Sequence, residues 1–127
     1  MAATPGYAAT PKIGTASIGT AETSRTAPTN VGTVWAAGAS GGRIDSVTIT
    51  AASTTQAGVV RLFIYTGSVY RLLKEVVVQP VTASATTQVW SATVTFDGGI
   101  PMQTGYDLRA TTEKSDTFHV IAFGADL

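Results

Sequence analysis

Val59-Val60-Arg61-Leu62-Phe63-Ile64-Tyr65-Thr66 decides the fold class of this 127-residue chain. Val60, Leu62 and Ile64 alternate with Val59, Arg61, Phe63 and Tyr65, so both faces are largely apolar. A strand covered on both sides has this composition, since successive side chains of a strand point to opposite faces. Thr66-Gly67-Ser68 is a tight connection, and Val69 to Val78 follows as the hairpin partner. Val69 to Val76 also fits an amphipathic helix, but the Val76-Val77-Val78 run and the short upstream turn favour a strand.

Outward from that hairpin the period stays at two. Arg43 to Ala52 places Val47, Ile49 and Ala51 opposite Ser46, Thr48 and Thr50. Thr87 to Phe96 places Trp90, Ala92, Val94 and Phe96 inward and Val89, Ser91, Thr93 and Thr95 outward. Tyr106 to Thr112 and Thr117 to Phe123 alternate likewise, and Val31 to Ala36 reads as a first short strand. Asp97-Gly98-Gly99 reads as a turn, and Pro101 and Gly105 bracket a short loop. Seven or eight strands at roughly 10-residue spacing mean a β-sandwich or barrel; we expect a single antiparallel β-sandwich, with a jelly-roll topology favoured over an immunoglobulin-like one.

Residues Met1 to Asn30 are nearly all Ala, Thr, Gly, Pro and Ser, with Lys12, Glu22 and Arg25 as the only charges. Short units recur, Ile13-Gly14-Thr15-Ala16 as Ile18-Gly19-Thr20-Ala21. Such a segment has too few large apolar groups to offset its own ordering entropy. We therefore expect an extended arm over 1–30 and a sandwich over 31–127. The arm has two destinations: a strand of its own domain, or another surface. On the second, Ile13 and Ile18 fill pockets while the backbone adds a strand to a neighbouring sheet.

Charged residues are 13% of the chain, about half the usual share of roughly 25%. Eight basic residues balance eight acidic ones. Zero net charge fits a protein that lives in an assembly, and it argues against a nucleic-acid partner, which needs a basic face. There is no cysteine, so disulfides and thiolate metal sites are excluded. No apolar run approaches the roughly 20 residues of a membrane span. The N-terminus has no basic segment followed by an apolar run, so we expect synthesis in a cytoplasm and no membrane insertion.

No catalytic constellation is legible. His119 is the one histidine and reads as an interface or surface residue. No serine lies in a nucleophile-elbow motif, and Asp97-Gly98-Gly99 lacks the alternating ligands of a calcium loop. Gly38-Ala39-Ser40-Gly41-Gly42 is not followed by the lysine of a phosphate loop. No cofactor and no enzymatic activity are expected. Phe63, Tyr65 and Phe123 fall on the phases of their strands opposite the core, which points to a buried oligomer interface.

Four segments carry a resemblance: Gly58 to Tyr65, Tyr70 to Val76, Ile100 to Ala110, and Phe118-His119-Val120-Ile121-Ala122-Phe123-Gly124. On them, Arg43 to Leu127 resembles small β-sandwich proteins encoded among the structural genes of tailed bacteriophages. The resemblance implies a virion component on the capsid exterior, of the decoration or cement type. Its partners would be the major capsid protein and further copies of itself, commonly three, with no catalytic residues. The alternative is a fibre or tail module that binds a host surface glycan, for which exposed aromatics are sought in the loops Gly38 to Gly42 and Glu113 to Asp116. Those loops contain none.

Overall fold

The computed structural model describes residues 10–127. The chain is all-β, two antiparallel sheets of four strands each, with no helix among the described residues. The strands are β1 (Thr10–Ile18), β2 (Gly32–Ala36), β3 (Gly42–Ala51), β4 (Gly58–Tyr65), β5 (Tyr70–Val78), β6 (Ser91–Met102), β7 (Asp107–Thr112) and β8 (Phe118–Asp126). The first sheet has the order β1-β8-β3-β6 and the second β2-β7-β4-β5. Successive strands alternate between the sheets, except for the hairpin β4–β5.

The inward phases are those the alternation predicts. Val47, Ile49, Val60, Leu62, Leu108 and Val120 are fully buried between the sheets. Phe118 meets Trp90 edge to face, with ring centroids 5.7 Å apart. Trp35 is 1% exposed at the centre of the core. Its six-membered ring lies where a side chain on Gly42 would stand, and its five-membered ring lies against Gly14. The two sheets approach closely only because those positions have no Cβ.

Residues 10–30 do not leave the domain. β1 pairs with β8 over nine residue pairs, from Thr10 with Asp126 to Ile18 with Phe118. Of the arm expected over 1–30, residues 1–9 lie outside the described residues. The rest is an edge strand and a connection, so residue 31 is not a domain boundary here. Of the two destinations, residues 10–18 take the first, a strand of their own domain, and their small side chains have a packing role. Gly14 and Ala16 face inward where β1 crosses β2, and Gly14 abuts the Val34 carbonyl. They are small because the sheets are close, and a ladder to β8 supplies the ordering energy that the segment lacks alone. The repeat spans five residues, an odd number, so it changes face in a strand of period two. Ile13 points outward and is 59% exposed, whereas Ile18 points inward and is 6% exposed.

The connection from β1 to β2, residues 19–31, straps across the outer face of the second sheet. Ala21 bridges Thr112, and the Glu22 N–H donates to the Thr112 carbonyl at 2.8 Å. Arg25 on the strap pairs with Glu75 on β5 at 2.6 Å. On that face lie Arg61, which meets the strap at the Glu22 carbonyl, and Phe63, which packs against Tyr70; they are 2% and 0% exposed. Phe63 is therefore covered by its own chain and is unavailable to another subunit, contrary to the interface expected from sequence. Alternation reports that a second face must be covered, and not by what.

Asp97-Gly98-Gly99 is no turn but part of a bulge inside β6. Ile44 pairs with Ile100 and Ser46 with Thr95, so Phe96 to Gly99 stand against Asp45 alone. Gly98 and Gly99 take φ of +75° and +79°, which only glycine adopts without strain. Pro101 belongs to β6, opposite Arg43. Its missing donor is tolerated because β6 is an edge strand.

Thr111, opposite Arg61 on β7, is 0% exposed and its hydroxyl has no partner. A buried unpaired hydroxyl destabilises. Thr111→Val is expected to raise stability by about 1 kcal/mol, seen as a rise of roughly 3–6 °C in the melting temperature by calorimetry.

Candidate functional site

The outer face of the first sheet is the candidate contact surface. Its outward residues form three rows across four strands. Ile13, Phe123, Ser46 and Thr95 make one row, and Thr15, Ile121, Thr48 and Thr93 the next. Ser17, His119, Thr50 and Ser91 complete it. None of these twelve positions holds Asp, Glu, Lys or Arg. The hydroxyls of Thr48 and Thr93 lie 3.3 Å apart. Ile13 and Phe123 stand side by side, the latter 41% exposed. Apolar groups this exposed, on a face without charges, favour contact with protein over contact with water.

Lys12 does not break the neutrality of this face, because it turns inward. Its Nζ lies 4.2 Å from the centre of the Trp35 ring, donates to the Ala36 carbonyl and pairs with Asp126 at 3.0 Å. Asp126 also accepts the Gly38 N–H at 3.2 Å. One lysine thus ties the β1 edge to the end of β2. At the same end of the face, Arg43 and Asp45 pair at 2.7 Å beside the β6 bulge, and Asp45 borders Ile13 and Phe123.

The outer face of the second sheet has two parts. Under the strap, Arg61 is a buried cation with three partners: Glu75 at 2.7 Å, Glu113 at 3.0 Å and the Glu22 carbonyl at 3.4 Å. Glu75 is held below the usual carboxylate range, first by the Arg25 hydrogen bond and then by that of Arg61. The Glu22 carboxylate closes the strap on itself by accepting the N–H groups of Asn30, Thr29 and Ser24. These bonds, Asn30 first, lower its pKa from 4.5 to about 2. A depressed carboxylate contributes stability above its unfolded pKa and loses it as pH falls through the folded one. We therefore expect the strap to loosen between pH 4.5 and about 2. The amide resonances of Thr29 and Asn30 should titrate in that window, and should not in Glu22→Gln.

Beside the strap lies an aromatic cluster. Tyr65 and Tyr70 face each other across the hairpin with centroids 4.5 Å apart, and Tyr70 meets Phe63 edge to face at 5.8 Å. Arg109 lies 3.9 Å over the Tyr65 ring, donates to the Tyr70 hydroxyl at 2.8 Å and pairs with Asp107 at 2.9 Å. All four polar members are half-buried.

Of the residues singled out from sequence, the structure brings two together. Ile13 and Phe123, assigned to separate roles, are neighbours on one exposed face. Ile18 is buried between the sheets and Phe63 is buried on the outer face of the second sheet by its own chain, which removes them as docking and interface residues. Tyr65 is half-buried beneath Arg109. Sequence analysis missed Tyr70 and Arg109. The signal was there in part, since a hairpin turning at Thr66 to Val69 puts Tyr70 opposite Tyr65. His119 is exposed and has no hydrogen-bonding partner among the described residues, and no three His, Asp or Glu side chains gather there as a metal site. No family model, curated protein or solved structure matches this chain.

Proposed function

We propose that this protein is a non-catalytic structural component that decorates and stabilises a phage capsid through protein–protein contacts. The observation that carries the reading is the hydroxyl-lined face of the first sheet, whose three rows hold no Asp, Glu, Lys or Arg and expose Ile13 and Phe123. The strand order supports the jelly-roll topology that accompanies it: β1-β8-β3-β6 faces β2-β7-β4-β5, and every connection but the β4–β5 hairpin crosses between sheets. Binding only the assembled lattice stabilises it by mass action. The three rows carry no Asp, Glu, Lys or Arg, so attachment through them should depend only weakly on salt.

Phe123→Glu tests this directly. Phe123 is exposed, so the substitution should leave the fold intact while placing a charge in a dry contact. Co-sedimentation with undecorated capsids should show saturable, stoichiometric binding by the native protein and at least a tenfold loss in the variant. Native protein that stays in the supernatant, or is absent from purified virions, ends the reading.

A second reading, adhesion to a host glycan, draws on the Tyr65–Tyr70–Arg109–Asp107 cluster. Sequence analysis sought aromatics in the loops and found none, whereas the fold collects them on a sheet face. Glycan-array binding that Tyr70→Ser removes would place adhesion ahead of decoration.

A further inference from the structure

We infer that the edge of β1, unpaired among the described residues, pairs with β1 of a second copy, antiparallel about a two-fold axis, and joins two first sheets into one of eight strands. The basis is a comparison of the four edge strands. An exposed edge carries unpaired N–H and C=O groups, and proteins protect such edges with short strands, bulges, proline or charge. β2 is five residues long and has a register shift between Thr33 and Trp35. β5 has a register shift opposite Leu62 and Phe63, and carries Arg71 and Lys74, which have no ion-pair partner among the described residues. β6 carries the Phe96–Gly99 bulge and Pro101.

β1 alone has none of these within its span beyond Pro11 at its start. It is nine residues long and in unbroken register with β8. Its only charge, Lys12, is turned inward onto Trp35 and Asp126. Its outward side chains after Pro11 are Ile13, Thr15 and Ser17, of which Ile13 is the most exposed apolar residue of the first sheet.

The occupant follows from the same features. A strand without outward charge can meet its own copy without like-charge opposition, and antiparallel pairing is self-complementary about a two-fold. A ring of three would require β1 to meet a different edge, and the other three are protected. The pairing would set Ile13 of each copy near the axis and bring the two Phe123 side chains onto one continuous surface. It is independent of the capsid reading, which concerns what that surface then binds.

The test is the oligomeric state of the purified full chain together with amide exchange. Sedimentation equilibrium at tens of micromolar should give twice the chain mass, with the β1 amides protected. Ile13→Lys should give the monomer mass with an unchanged circular dichroism spectrum and at least tenfold faster exchange in β1. Ile13→Glu should also be monomeric, and an equimolar mixture of the two variants should recover the dimer. A native monomer at several hundred micromolar, a native trimer, or a dimer that Ile13→Lys leaves intact would each overturn the proposal.

Discussion

A chain lacking residues 1–30 is expected not to fold into the native sandwich. Composition alone argues the opposite, that a Thr/Ala/Gly-rich segment is dispensable. The structure reverses the expectation by way of residues 10–30. The truncation removes β1 and leaves the β8 edge without its nine-residue ladder. It removes Ile18 from the core, worth about 1.5–3 kcal/mol of burial, and takes the strap off the outer face of the second sheet. It also strips Arg61 of the Glu22 carbonyl and Glu75 of Arg25. A domain of this size has only about 5–15 kcal/mol in total. The truncated chain should show no cooperative thermal transition by far-ultraviolet circular dichroism or by calorimetry. A sharp transition within a few degrees of the native one would show that β1 and the strap are accessory.

Trp35→Ala should give the largest effect of any single substitution considered, a loss of about 3–5 kcal/mol. Trp35 is 1% exposed, fills the space left by Gly14 and Gly42, and is the surface on which Lys12 rests. Removing it opens a cavity and also releases the lysine that ties β1 to β2. The melting temperature should fall by roughly 10–25 °C. Trp35→Phe should cost far less, since the buried indole N–H has no partner to lose. If the two substitutions cost the same, the indole N–H has a partner and the volume argument is incomplete.

These two expectations differ in how far the sequence foretold them. The period-two alternation of Arg43 to Ala52, Val59 to Tyr65 and Thr117 to Phe123 located the strands and the inward residues. Trp35 stood in a strand on sequence grounds, but its central place depended on Gly42 and Gly14, which lie on different strands. The candidate contact face was visible only as scattered parts. Ile13 and Phe123 are 110 positions apart and meet because β1 pairs with β8. Tyr65 and Tyr70 were within reach of a hairpin argument, and Arg109 was not, because it arrives on β7 from the other side of β4.

What the sequence by itself determined is the class of structure: strands, their inward faces, the hairpin, the absence of cysteine and the low, balanced charge. These follow from local rules, the alternation of side chains and the chemistry of single residues. What only the tertiary structure decided is which apolar residues remain uncovered. Alternation marks Phe63, Ile13, Ile18 and Phe123 alike as candidates for burial. Strand order then hides Ile18 beneath the opposing sheet, Phe63 is covered by its own chain on the outer face of the second, and Ile13 and Phe123 stay in the open. The physical reason is that burial is a property of pairs of surfaces. A strand's own residues state that a face is apolar, and the partner that covers it comes from another part of the chain.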